Sequence, residues 1–239
     1  MTFVKYAPAG TPLTEVLGDD APVRALRRRN ARGHGAELAD DIVSGALRLI
    51  ERTGSSEAVT LRAVAREVGI AAPSIYAHFA DRAAIVMAVV TRIFEELRAA
   101  IEAGVASEDE PIERLVAGCQ AYVRFGLTHP ARYGVLFSEE RIPDSLHCTP
   151  VPIGPDGRPI LQFGAESFAL LVDALEGVER GVSVSSDVVT SATAVWVAMH
   201  GTVSLGIALP EFPWPSEAPF VRQLVLALSG IDDNATSSR

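Results

Sequence analysis

The sequence holds only two cysteines, Cys119 and Cys148, and a single lysine, Lys5. Two cysteines build neither a disulfide framework nor a four-ligand zinc site. No segment alternates apolar and polar residues as a half-buried strand does, and no repeat is present. There is no GxxxxGK[ST] phosphate loop, and Gly33-His34-Gly35 lacks the strand and further glycine of a dinucleotide fingerprint. Ser204 lies in GTVSLG, one residue away from the spacing of a nucleophile elbow. His147-Cys148 has no other ligand at metal-binding spacing. No catalytic residue, cofactor or metal is therefore expected, which argues against an enzyme. The first residues lack the basic, apolar and small-residue succession of a secretory signal, so a cytoplasmic protein is expected.

Charge is missing in one stretch and unbalanced across the rest. Val188 to Pro210 is 23 residues without a charge, long enough to cross a bilayer. It carries Thr190, Ser191, Thr193, His200, Thr202 and Ser204, however, and its flanks Asp187 and Glu211 are acidic rather than basic. A buried interface helix is expected in preference to a membrane span. The formal charge is −9 overall. Residues 1–82 hold 11 Lys+Arg against 10 Asp+Glu, whereas residues 83–239 hold 10 against 20. That excludes a basic coat over the whole surface and leaves room for a basic patch near the N-terminus.

What the chain does have is helical periodicity and 48% hydrophobic residues, ample for a core. Residues 1–35 mix proline, glycine and charge without a period and read as an extended basic arm. A helix begins near Leu38, with Leu38, Ile42, Ala46, Leu49 and Ile50 on one face, and Gly54 closes it. Thr60 is placed to cap a short helix that turns Leu61, Val64, Ala65 and Val68 inward. Gly69 supplies a sharp turn, and a second short helix covers about 71–77. A long helix runs over 81–103, and a polar acidic linker follows over 104–110. Further helices are expected over 111–128, 130–137, 160–180, 186–209 and 217–229, with a Pro/Gly-rich loop over 138–159. The fold class is all-α. An arm (1–35), a helix-turn-helix domain (36–82), a ligand-binding and dimerisation bundle (83–231) and a tail (232–239) divide the chain.

Residues 60–79, TLRAVAREVGIAAPSIYAHF, carry the strongest local signal. A short helix, a glycine turn and a second short helix make a helix-turn-helix, whose second helix can enter the major groove. A plain helical hairpin is the alternative; Ser74, Tyr76 and His78 beside an arginine-rich arm favour DNA. The stretch from Leu38 to Ile85 resembles the N-terminal domain of the TetR family of bacterial transcriptional repressors. The resemblance rests on Val64-Ala65, Val68-Gly69-Ile70, Ser74-Ile75-Tyr76 and His78-Phe79, with Arg82 where lysine is usual. Trp196, His200 and Gly201 resemble the Trp-His-Gly signature of one class of regulatory domain in that family.

This resemblance implies a homodimer, DNA-binding heads on a helical body, and repression of operator DNA relieved by a small molecule. By position it also implies Thr60 on a phosphate, with Ala72, Pro73 and Ser74 facing base edges. Tyr76 and His78 would hold the DNA backbone, and Arg82 would grip a phosphate. Two departures stand out: Ala71 replaces a Ser/Thr cap, and Ala77 replaces a larger polar residue. Ala, Pro and Ser offer few bidentate donors, so thymine methyls and DNA shape are expected to carry much of the specificity. Arg24, Arg27, Arg28, Arg29 and Arg32 are expected either to enter the minor groove or to form a solvated leader.

In the body, Phe94, Leu97, Cys119, Tyr122, Val123, Phe163, Phe168 and Trp196 fall on apolar faces of four helices. Gln120, Tyr122 and His200 are the expected polar points of an effector cavity, with the loop 138–159 as a lid. Ordinary core is the alternative for each residue taken singly. The helices near 186–209 and 217–229 are expected to pair into a four-helix dimer interface, helped by Gly201, Ala192, Ala194, Ala198 and Ser204. The long helix 81–103 is expected to couple cavity and heads. A ligand carrier with a degenerate helix-turn-helix is the rival reading, resting on the poor donor set at 71–77 and the acidic body.

Overall fold

The computed structural model describes residues 35–137, 165–179 and 188–231. Among these residues the chain is helical, with no strand. Its α-helices are α1 (Gly35–Thr53), α2 (Leu61–Val68), α3 (Arg82–Ala106), α4 (Pro111–Thr128), α5 (Pro130–Leu136), α6 (Ala165–Glu179), α7 (Val188–Ala208) and α8 (Glu217–Ser229). Two 3-10 helices, Ser56–Ala58 and Ala72–Ala77, complete the described elements. The arginine-rich arm, the loop expected over 138–159 with His147 and Cys148, Phe163, and the tail from Asp232 lie outside the described residues.

The N-terminal elements follow from local chemistry. Ile42, Ala46 and Ile50 are fully buried along one side of α1. The Thr60 hydroxyl accepts the Ala63 N–H at 3.2 Å and caps α2, satisfying one of its free donors. Gly69 ends α2 at φ 76°, a left-handed conformation that glycine adopts without a side-chain clash. Arg48 and Arg52 on α1 reach Glu67 on α2 at 3.0 and 2.9 Å. Their hydrogen bonds hold the Glu67 carboxyl below its usual range, Arg48 contributing most.

The segment after the turn is a 3-10 helix rather than an α-helix. The Ser74 N–H bonds to the Ala71 carbonyl, and the His78 N–H to that of Ile75, each at 2.9 Å. Ala71 provides no side-chain cap and Pro73 no N–H, so the fully buried Ile75 anchors the segment to the core. Asp81 then accepts the Ala84 N–H at 2.8 Å and starts α3.

Two glycines in the body act by absence of bulk. Gly104, expected to open a linker, lies inside α3; a Cβ there would stand 2.8 Å from the Ala117 carbonyl of α4. The close approach of α3 and α4 depends on it, and α3 continues to Ala106. A Cβ on Gly126 of α4 would stand 2.9 Å from the Tyr133 ring and closer still to Val203 of α7. Gly201, by contrast, has open space where a Cβ would be, so it permits no close approach within this chain. Helix α4 packs against α3, α5, α6, α7 and α8, and one continuous core joins α1 to α8. Helix α7 is long and apolar enough to cross a membrane; it packs on α4, α6 and α8.

Candidate DNA interface and effector site

On the head, Pro73, Ser74, Tyr76 and Ala77 are exposed while Ile75 points inward, so the 3-10 helix presents one outward face. Tyr76 is 60% exposed, an unusual position for a large ring without a partner. Ala72 and His78 are half-buried at the edges of that face. Thr60 lies at the exposed start of α2 with its hydroxyl proton still available to a phosphate.

Arg82 departs from expectation. Its Nε donates to the Val59 carbonyl at 3.0 Å and an Nη to the Ser56 carbonyl at 2.9 Å. The guanidinium ties the start of α3 to the turn before α2, so positioning of the helix-turn-helix replaces the phosphate grip expected of it. Two arginines that sequence reasoning missed are better placed for phosphate. Arg62 and Arg66 stand one turn apart on the exposed side of α2, and among the described residues neither has a carboxylate partner. Their i,i+4 spacing on the polar face of a helix-turn-helix was the available signal.

In the body, the expected residues divide into three groups. Leu97, Cys119 and Val123 are buried core, and burial pushes the Cys119 thiol up to about 12. Phe94 is half-buried against that core. Gln120 is not a polar point of a cavity: its amide donates to the Ala218 carbonyl at 3.1 Å, fastening α4 to the start of α8. Tyr122, Phe168, Trp196 and His200 do come together, and Tyr133, Phe137 and Ser204 join them.

These residues form a continuous polar chain through apolar surroundings. The Tyr122 and Tyr133 hydroxyls are 2.8 Å apart, and the Tyr133 hydroxyl is 2.7 Å from His200 Nδ1. Ser204 Oγ is 3.4 Å from His200 Nε2. Tyr122 and Tyr133 are buried, whereas His200 and Ser204 are half-buried and Trp196 is at the surface. Burial pushes the Tyr122 hydroxyl up to about 12, against smaller opposing effects from Tyr133 and the Trp196 indole. Burial raises Tyr133 further, and Tyr122 adds to it. Burial also lowers the pKa of His200, favouring the neutral ring. Around the imidazole stand Phe137 at 4.3 Å, Tyr133 at 5.7 Å and Trp196 at 6.2 Å between ring centres. Phe168 meets Trp196 edge-on at 6.2 Å. The i, i+4, i+8 spacing of Trp196, His200 and Ser204 was legible beforehand; Tyr133, eleven residues from Tyr122 across the Pro130 break, was not.

Next to Tyr133, Arg132 reaches the other way. Its guanidinium bonds to Glu51 of α1, with Nε to Oε1 at 2.7 Å, and also to Glu96 of α3. Burial works against its charge, and the two carboxylates outweigh that effect. Helix α5 thus touches the polar chain with one residue and the head with the next. Two concavities among the described residues lie elsewhere. One of about 210 Å³ borders Glu51 and Arg132, and a shallow one of about 580 Å³ lies along α8 near Arg222 and Ile231.

A helix-turn-helix on an all-helical body defines a DNA-binding regulator with a separate sensing part. Residues 42–89 match the bacterial regulatory proteins of the tetR family, and residues 115–228 match the tetracyclin repressor-like C-terminal domain. The chain belongs to the TetR family and is a ligand-responsive DNA-binding regulator. No curated protein matches it significantly in sequence. Among solved structures, a protein of unknown function from Rhodococcus sp. RHA1 is 23% identical, with TM-score 0.65 over 84% of this chain and 96% of that one. A TetR family transcription regulator from Marinobacter aquaeolei VT8 is 11% identical, with TM-score 0.57 over 83% and 98%. The regulator FadR from Bacillus subtilis, solved in complex with stearoyl-CoA, is 14% identical, with TM-score 0.62 over 81% and 98%. Likeness at these identities establishes the fold.

Proposed function

We propose that this regulator is a cytoplasmic, homodimeric repressor without enzymatic activity, released from its operator by a small apolar or amphipathic molecule. The observation that carries the reading is the neighbouring pair Arg132 and Tyr133 on α5. Tyr133 belongs to the aromatic and polar cluster of the body, and Arg132 is bonded to Glu51 in the head. A molecule that seats against Trp196 and His200 displaces Tyr133, and α5 passes that shift to α1. This adds a second route to the long helix α3. The coupling between effector and operator is then about 1–3 kcal/mol, the usual range for such regulators.

Phosphate contacts by Thr60, Arg62 and Arg66, base contacts by Ala72, Pro73 and Ser74, and backbone contacts by Tyr76 and His78 make up the proposed interface of the head (36–82). The arm with Arg24, Arg27, Arg28, Arg29 and Arg32 extends it into the minor groove. The body (83–231) dimerises through α7 and α8. Only 28% of the most apolar window of α7 is buried within one subunit, while Val197 and Leu205 stand exposed, so a second copy has apolar surface to cover. Such a dimer sets two recognition segments about 34 Å apart, one turn of DNA. Assignment to the Trp-His-Gly class is supported by Trp196 and His200 sharing one cluster.

Binding of the purified protein to its own upstream DNA, against a shuffled duplex at two salt concentrations, tests the repressor reading. Sequence-specific binding that weakens with salt is expected, with a slope falling by about 0.9 for each of Arg62→Ala and Arg66→Ala. Equal affinity for both duplexes overturns it in favour of a carrier. Arg132→Ala is expected to leave operator affinity within about twofold and to reduce the effect of effector on it, as the range of coupling energies allows.

A further inference from the structure

The hydrogen-bond chain in the body has a direction, and that direction selects a ligand. The argument rests on the reading that the cluster around Trp196 and His200 is the effector site. The indole N–H of Trp196 only donates, and it acts on the Tyr122 hydroxyl. Tyr122 therefore accepts from Trp196 and gives its own proton to Tyr133, which gives its proton to His200 Nδ1. His200, neutral, keeps its proton on Nε2 and directs it at Ser204 Oγ. The reverse order aims two donors at Tyr122 and leaves its buried O–H without an acceptor, which costs the desolvation of that group. In the forward order every donor is used except one, the hydroxyl proton of Ser204, at the half-buried end of the chain. Among the described residues Ser204 has no second hydrogen bond.

The cluster is also without charge. Tyr122, Tyr133 and His200 are perturbed by burial and, for the tyrosines, by each other and the indole; no charged side chain among the described residues acts on them. Arg132, the cation nearest in sequence, is bonded to Glu51 and Glu96. An ionised group brought here would lose its water and gain no counter-charge, a cost that excludes it in favour of a neutral one. Phe137, Phe168 and Trp196 supply ring surfaces, which bind flat apolar bodies well. From these features we infer that the effector is an uncharged molecule, with a flat apolar body lying against Phe137, Phe168 and Trp196 and one neutral acceptor oxygen, a carbonyl or ether, that takes the Ser204 hydroxyl proton.

A matched pair of probes tests this on the full-length protein by isothermal titration calorimetry. The ketone 2-acetonaphthone and the anion 2-naphthoate share a ring and a carbonyl and differ in charge. The ketone is expected to bind once per chain, at least tenfold tighter than naphthoate, with affinity falling severalfold in Ser204→Ala. Trp196→Leu, at the exposed edge of the cluster, is expected to weaken the ketone as well, and both variants are checked for an unchanged helical circular-dichroism spectrum. Naphthoate binding as tightly as the ketone, with both weakened by Trp196→Leu, overturns the uncharged ligand and leaves the site standing. Ketone binding that is unaltered in Ser204→Ala overturns the acceptor contact. Binding by neither probe, or binding unaffected by Trp196→Leu, overturns the site itself and the inference with it.

Discussion

The head and the body of this regulator are held in different ways. In the head, helix ends are capped by neighbours in sequence: Thr60 by Ala63, Asp81 by Ala84, and Gly69 by its own left-handed turn. Its charges are paired across short distances at the surface, as with Arg48, Arg52 and Glu67. In the body, α4 and α5 begin at prolines without a side-chain cap, and α7 carries no charge. There the specifying interactions are buried and distant in sequence, such as Tyr133 with His200 and Gly126 with Val203. A head built from local contacts keeps one shape for reading DNA. A body built from a single file of buried hydroxyls and a ring can rearrange when one member is displaced, which suits a sensor.

The sharpest test of this contrast is Ile75→Ala. Ile75 is the buried anchor of the recognition segment, and its truncation is expected to cost about 2–5 kcal/mol. Operator binding should be lost while Trp196 fluorescence keeps its native emission; loss of both would mean that head and body fold as one unit. Next in size, Tyr133→Phe leaves the Tyr122 hydroxyl and His200 Nδ1 without their shared partner. Urea unfolding should show a loss of about 1–3 kcal/mol in the body. An unchanged midpoint would mean that the chain of hydroxyls contributes no specificity. Thr60→Ala removes the cap of α2 and should destabilise the head by about 1 kcal/mol, seen as faster amide exchange in α2 with α6 and α7 unaffected.

The smallest expected effect is on pH dependence. Burial lowers the His200 pKa below its ordinary value of 6.5, so the unfolded chain binds the proton more readily than the folded one. The stability linked to neutral His200 is therefore complete above about pH 6.5 and is lost as the pH falls below it. Melting temperatures between pH 7.5 and 5.5 should fall more in the wild type than in His200→Gln. Equal slopes would show that the imidazole is not held neutral by the fold.

Much of this could be read in advance wherever the cause was local. The caps Thr60 and Asp81, the turn at Gly69, and helices α4 and α8 follow from residues within a few positions of one another, because capping and helical periodicity act over one or two turns. Trp196 and His200 were legible as a pair for the same reason. Gln120 was misjudged because its partner, the Ala218 carbonyl, is 98 residues away. Gly104 looked like a break since glycine commonly ends helices, and only the nearness of α4 shows that it is a contact point. Arg82 looked like a phosphate ligand because a free cation beside a recognition helix has that role by default. Carbonyls more than twenty residues earlier in the chain claim it instead.

The sequence by itself determined the all-α class, the helix-turn-helix and the uncharged helix, through spacing, capping and the absence of competing signals. The tertiary structure alone decided which polar groups meet. The Tyr122, Tyr133, His200 and Ser204 file and the bridge from Arg132 to Glu51 exist only because α1, α4, α5 and α7 are packed against one another. Buried hydroxyls must find partners wherever packing brings them, and packing is a property of the whole chain.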